Sequence, residues 1–259
     1  MFVLETMPRL LFTCAYDGAS YCGWQSQREG ESIQDTIEAA MARILKEPLR
    51  IAASGRTDAG VHAHAQRFHA DVPADCRMSP QNWLAALNAH LPASIRITAV
   101  QAVSDDFHAR FDAVGKEYEY LICRGTVLSP FLHGRAWHVP HEFDAAALAA
   151  AMKVYEGTHD FRRFAANRGN EPECPPADFY LRTIYSATVS EEGEMLRIRV
   201  HGNGFMYRMV RLLVGTAHQV ARGRMSCAAL AAMLENPLGQ KTRYCAPADG
   251  LYLRRVFYP

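Results

Sequence analysis

The chain has 259 residues, 49% of them hydrophobic, enough to bury one large core or two cores of about 100 to 150 residues each. Its 28 basic and 27 acidic residues leave a net charge of +1, which excludes a global electrostatic signature of nucleic-acid binding and moves that question to local clustering. Seven scattered cysteines, odd in number and without a C-x-x-C pair, argue against a disulfide framework. With no basic leader and no run of 18 apolar residues, they point to a soluble cytoplasmic protein without a membrane span.

In chain order, RLLFTCA at 9–15 reads as a strand that leaves into the turn Asp17-Gly18. A helix is expected at 32–46, where Ile33, Ile37, Met41, Ile44 and Leu45 recur at the helical period behind a Ser32 cap. Strands near 49–54 and 65–72 flank the loop SGRTDAGVHAHA, bounded by Gly55 and Gly60. A short helix at 80–91, begun by Ser79 and Pro80, and a strand at 94–103 complete a β-α-β-β-α-β order.

The second half repeats that order, with a strand at 116–123, a helix at 144–155, strands near 181–189 and 195–201, a helix at 205–221 and a last strand at 250–258. The expected class is α+β, with two ferredoxin-like halves that carry antiparallel or mixed sheets and flanking helices. The boundary falls between 104 and 112, dividing an N-terminal half, 1–105, from a C-terminal half, 106–259. The proline-rich stretch 165–178 is a long connection, read as a surface loop in preference to a substrate lid.

Local charge does cluster. From Met195 to Leu234 there is no Asp or Glu, while Arg197, Arg199, Arg208, Arg211, Arg222 and Arg224 all fall inside. An RNA-facing surface and an arginine-coated, solvated helix account for this equally well.

The residue with the clearest chemistry is Asp58. Two glycines permit a sharp loop around it, Ala59 gives it little steric cover, and Arg56 brings a positive charge two residues away. A carboxylate held in this way can act as a covalent nucleophile. The plainer alternative is that Thr57 and Asp58 hydrogen-bond their own turn.

SGRTDAGVHA resembles the catalytic loop of the tRNA pseudouridine synthase A family, and further motifs follow in that family's order. They are YDGASYCGWQSQ (16–27), SIQDTIEAAM, LNAHLP (87–92), FHARFDAVGKEYEY (107–120), EGTHDFRRF (156–164), GNGFMYRMVRLLVG (202–215) and APADGLYL (246–253), so the resemblance spans essentially the whole chain. It implies the pseudouridine-synthase fold and isomerisation of uridine 38, 39 or 40 in the tRNA anticodon stem-loop. It also implies a homodimer and no metal or organic cofactor. Ala65 stands where many relatives have glycine before the glutamine.

By position, the resemblance makes Asp58 the nucleophile and Tyr118 the tyrosine that contacts the target base. A ring that stacks on an extruded uracil suits that role. As an alternating strand, KEYEYLIC also puts Tyr118, Tyr120 and Ile122 on one core face, with Tyr118 at its rim. Motif position further implies Arg211 as the basic partner of Asp58 and Leu251 as an apolar wall under the base. Arg56 and Arg208 join them as substrate-binding residues. On a helix, Arg208 and Arg211 share a side, opposite the stripe Met206, Met209, Val210, Leu213 and Ala217.

Two other classes compete. His62, His64 and His69 have residue types and spacing compatible with a metal-dependent hydrolase, His62 and His64 sharing a strand face. Alternatively, the arginines hold folded RNA without changing it, against which the intact Asp58 loop argues.

Overall fold

A computed structural model describes residues 9–26, 31–167, 169, 172 and 174–259. The reading of the N-terminal leader and part of the proposed 165–178 connection lie outside the described residues. In chain order the elements begin with β1 (Arg9–Tyr16), α1 (Ile33–Leu45), β2 (Ala52–Ala53), β3 (His62–Asp71), α2 (Pro80–His90) and β4 (Ile95–Val103). There follow β5 (Gly115–Cys123), β6 (Trp137–His138), α3 (Ala145–Lys153), β7 (Gly157–Asp160) and β8 (Leu181–Glu192). The chain ends with β9 (Met195–Gly202), α4 (Met209–Ala221), α5 (Cys227–Glu235) and β10 (Leu251–Phe257). Mixed pairing and interspersed helices make the chain α+β.

The described residues form two compact units. The first runs to Val114 and takes back the final segment Tyr252–Pro259, and the second is Gly115–Leu251. In the first, β1 lies between β3 and β4, antiparallel to both, and β2 adds antiparallel to β3. The last strand joins this unit in parallel, Tyr252 opposite His62 and Leu253 opposite Ala63.

The helices start where side chains can receive otherwise unpaired amides. Ser32 accepts from the Asp35 amide, and Ser79, followed by Pro80, accepts from Asn82. Helix α1 ends on Lys46 in the left-handed region, φ 64°. Of the five residues that the helical period selects, Ile33, Ile37 and Met41 are buried while Ile44 and Leu45 are half-buried. Phe12 and Phe68 stack at 4.9 Å in the core, with Trp83 edge-on to Phe12 at 6.0 Å. Each such side chain contributes roughly 1.5–3 kcal/mol by burial.

In the second unit β9 lies between β5 and β8, antiparallel to both, and β7 continues from β8. Asp144 caps α3 by accepting from the Ala146 and Ala147 amides. Tyr155, Phe161 and Phe164 are fully buried, and the Tyr155 hydroxyl donates to the Leu213 carbonyl at 3.1 Å.

Three local expectations are corrected. The strand expected at 49–54 is only Ala52–Ala53, and α5 was not anticipated. The helix expected at 205–221 starts at Met209, because Arg208 takes a left-handed backbone, φ 58°, that an α-helix cannot include. Arg208 and Arg211 therefore do not share a helical side. Among the described residues no helix is long and apolar enough to cross a membrane.

Candidate active site

In the first unit the segment after β1 folds against the loop between β2 and β3. The Trp24 amide donates to the Thr57 carbonyl at 3.1 Å and the Gly60 amide to the Tyr21 carbonyl at 3.3 Å. The Thr57 and Tyr16 hydroxyls are 2.8 Å apart and buried. The Val61 amide closes a turn on the Asp58 carbonyl at 3.1 Å. The base of the loop is fixed too: the Ser54 hydroxyl donates to the Gln66 side-chain oxygen at 2.7 Å, and the Gln66 amide group donates to the Gly55 carbonyl at 2.9 Å.

Gly23 is required where these segments meet. It has φ +103°, and a Cβ there would come within 2.6 Å of the Thr57 carbonyl oxygen. Gly18 likewise has no room for a side chain against the Val61 backbone. The outcome is a half-buried Asp58 in a loop whose backbone is tied on both sides. Arg56 is exposed in the same loop.

The second unit holds the other expected residues. Tyr118 is half-buried on β5, while Tyr120 and Ile122 on the same face are fully buried, so Tyr118 does sit at the rim of a core face. The Phe205 ring meets Tyr118 edge-on at 5.1 Å. Arg211 on α4 exchanges two hydrogen bonds with Ala246: its Nε donates to the Ala246 carbonyl at 2.8 Å, and the Ala246 amide donates to the Arg211 carbonyl at 3.0 Å. The same segment is tied to β5, because the Tyr120 hydroxyl donates to the Pro247 carbonyl at 2.9 Å. Leu251 follows, buried, its amide bonded to Ala248 at 2.8 Å. Arg208 is exposed, its guanidinium over the Tyr207 ring at 5.0 Å.

The acid-free arginine stretch is not a uniform basic surface. Arg197 and Arg199 both pair with the buried Glu119 of β5, at 2.7 and 2.9 Å. With Glu192, which also meets Arg197 at 3.4 Å, two carboxylates balance these two arginines. A buried ion pair of this kind fixes geometry more than it adds stability.

The histidines are used in packing. His62 and His64 do share a face, both stacking on Tyr252 at 4.6 and 5.1 Å. His62 Nδ1 accepts the Gly18 amide at 3.1 Å and His69 Nδ1 accepts the Ala109 amide at 3.1 Å. Both lone pairs are thus already engaged. Among the described residues no group of three or more His, Cys, Asp or Glu side chains is placed to hold a metal ion.

The sequence profile of the tRNA pseudouridine synthase family matches residues 13–112 and 151–259, which include the Asp58 loop, Arg211 and Leu251. The chain belongs to that family. Its α+β architecture is accordingly the pseudouridine-synthase fold. It is 48% identical over 254 residues to the tRNA pseudouridine synthase A of Akkermansia muciniphila, covering 98% of this chain and 96% of the relative. It is 41% identical to the enzyme of that name from Beijerinckia indica (98% and 95% covered) and 38% identical to that from Methylacidiphilum infernorum (95% and 94%). Tyr118 falls between the two matched stretches of the family profile.

Sequence reasoning passed over Tyr16, Gly23 and Trp24 as individual residues, although all lie in the opening motif. Their role as the brace of the Asp58 loop depends on a contact across more than 30 positions, which no local pattern reports. Phe205 and Glu119 were missed for the same reason.

Proposed function

We propose that this protein isomerises uridine to pseudouridine at positions 38, 39 or 40 of the tRNA anticodon stem-loop, with Asp58 as the nucleophile. The observation that carries this reading is the bracing of the Asp58 loop: Thr57 is held through its hydroxyl and its carbonyl, Gly60 through its amide, and Asp58 stands half-buried between them. Family membership supports the class of reaction.

The reaction breaks the C–N glycosidic bond, turns the uracil and joins it again to ribose through C5, while the C5 proton is lost and N1 gains one. Nothing is oxidised or transferred from a donor. The protein must therefore keep the base while it is detached. Tyr118 stacks on the extruded uracil, Leu251 closes an apolar wall beneath it, and Arg211 supplies the positive charge assigned as the basic partner of Asp58. Ala246 fixes the Arg211 guanidinium through Nε. Arg56 and Arg208, both exposed, engage the RNA backbone, so that recognition rests on tRNA shape and phosphates more than on one base sequence. The enzyme works in the cytoplasm as a homodimer, which light scattering at working concentration tests: a monomer overturns that part.

The test of the function is to incubate the purified protein with unmodified tRNA transcripts and map pseudouridine at nucleotide resolution. Product at 38, 39 or 40 is expected. Product only elsewhere overturns the assigned positions, and tight binding without product leaves a non-catalytic RNA-binding protein.

A further inference from the structure

Arg182 is the second residue of β8 and is directed to the same side of the strand as Ile184, which is 1% exposed. Its guanidinium is half-buried, and burial pushes its pKa below the ordinary arginine value, opposed only by the field of Asp178. Three other half-buried arginines each meet a carboxylate: Arg9 meets Asp71 at 2.6 Å, Arg162 meets Asp160 at 3.0 Å and Arg197 meets Glu119 at 2.7 Å. Among the described residues, no carboxylate lies within ion-pair distance of Arg182. It bonds only through Nη1, to the Phe179 and Leu181 carbonyls at 3.1 and 2.5 Å. One corner of the fork is anchored, while Nε and Nη2 make no bond to the described residues.

A partly desolvated cation without a counter-charge is costly unless a ligand brings the anion. A guanidinium held at one corner, with adjacent N–H groups left over, has the geometry that phosphate oxygens accept two at a time. Its position in the unit matters equally. The Arg182 stem crosses the Gly202–Gly204 turn, where a Cβ on Gly204 would meet its Nε at 3.6 Å. That turn is pinned to β8 by Asn203, whose side-chain oxygen accepts the Thr183 amide at 2.9 Å and whose amide donates to the Thr183 carbonyl at 3.0 Å. The next residue is Phe205, whose ring touches Tyr118. Arg182 is therefore one tight turn from the aromatic pair that includes the tyrosine assigned to the target base.

We propose that Arg182 is a phosphate seat for the RNA substrate, holding one backbone phosphate beside the nucleotide that Tyr118 takes. The inference rests on the tRNA reading above and adds to it a specific residue and a specific ligand atom. The competing role is purely internal, with Nη1 holding the Phe179–Leu181 turn in shape.

The test uses the full chain and tRNA carrying a single uncharged methylphosphonate at successive positions of the anticodon arm. Binding is measured over a range of salt concentrations, and pseudouridine is measured on the same samples. Arg182→Gln should weaken binding about tenfold or more and lower the slope of log affinity against log salt by about one. One methylphosphonate position should weaken the parent by a similar factor and have no further effect in Arg182→Gln. Arg182→Lys, which keeps the charge and loses the fork, should keep the parental salt slope and lose less affinity at that same phosphate. It carries the test if circular dichroism shows the glutamine variant to be misfolded. A parental salt slope in the folded glutamine variant, or no phosphate whose neutralisation becomes silent, overturns the proposal and leaves Arg182 internal. A parent protein that makes no pseudouridine on unmodified tRNA overturns the functional reading, and the phosphate seat with it.

Discussion

The Tyr16 hydroxyl at the end of β1 meets the Thr57 hydroxyl at 2.8 Å, both buried, one residue before Asp58. It is a side-chain bond from a core strand to the Asp58 loop, independent of the backbone bonds that tie this loop to Trp24 and Tyr21. Removing the Tyr16 oxygen leaves a buried Thr57 hydroxyl without this partner, at a cost of about 1–2 kcal/mol. Tyr16→Phe should therefore lower the thermal midpoint by a few degrees and lower kcat severalfold, while tRNA affinity stays near the parental value. Unchanged kcat in a folded Tyr16→Phe protein would show that the loop is held well enough by its backbone bonds alone.

Gly23 gives a harsher test of the same brace. Alanine there must take a φ of +103° and bring its Cβ within 2.6 Å of the Thr57 oxygen and 3.0 Å of the Asp58 carbonyl carbon. Backbone strain alone costs on the order of 1–3 kcal/mol, and the contact displaces the loop. Gly23→Ala is expected to lose at least 100-fold in turnover, since small misplacements of a reacting group have that effect. Steady-state kinetics with a binding assay checks it: a loss confined to KM would mean that the loop had not moved.

Stability should fall in mild acid because of two buried histidines. Burial is the main cause that brings His218 from 6.5 to about 4, with Arg222 and Arg224 adding to it. Its ring lies edge-on to Trp137 at 4.7 Å and Phe143 at 5.0 Å. Burial, then Arg9, brings His69 to about 4 as well, and its Nδ1 already accepts the Ala109 amide. With the folded value below the unfolded one, the unfolded chain takes up the proton first as pH drops. Stability is thus complete above about 6.5 and is lost towards 4, by roughly 1–3 kcal/mol for each histidine. Urea midpoints measured between pH 7.5 and 4.5 should show this, and His218→Leu should reduce the pH-dependent part by about half. An unchanged pH dependence in that variant would mean that His218 takes up its proton equally in the folded and the unfolded chain.

The sequence carried the parts of this fold that depend on local periodicity. Ile33, Ile37 and Met41 recur at the helical spacing behind Ser32, and Tyr118, Tyr120 and Ile122 alternate on one face, so burial and pattern agree. Where the pattern is uniform it has no period to read: CAALAAMLE is almost wholly small and apolar, and α5 went unrecognised. The start of α4 was misplaced because hydrophobicity continues through Met206 while the Arg208 backbone turns left-handed. Pairing of β10 with β3 joins positions about 190 apart, and no local signal marks that return. The tight loop around Asp58 was legible because its glycines mark a sharp turn. The brace of Tyr16, Gly23 and Trp24 was not, because it is a tertiary contact.

The decisive variant is Asp58→Asn. It nearly preserves side-chain volume and keeps the backbone bonds that shape the loop, since the Asp58 group that accepts from Val61 is the main-chain carbonyl, at 3.1 Å. Only the anionic oxygen is removed, and with it the nucleophile or base proposed for glycosidic cleavage. Pseudouridine formation should become undetectable. Binding should stay close to parental, because docking is assigned to basic and shape-reading surfaces elsewhere in the chain. Product and affinity are to be measured on one preparation, with circular dichroism as the check on folding. A folded Asp58→Asn protein that still makes pseudouridine at near the parental rate would remove Asp58 from the chemistry. A folded variant that loses binding and turnover together would instead make Asp58 part of how the RNA is held.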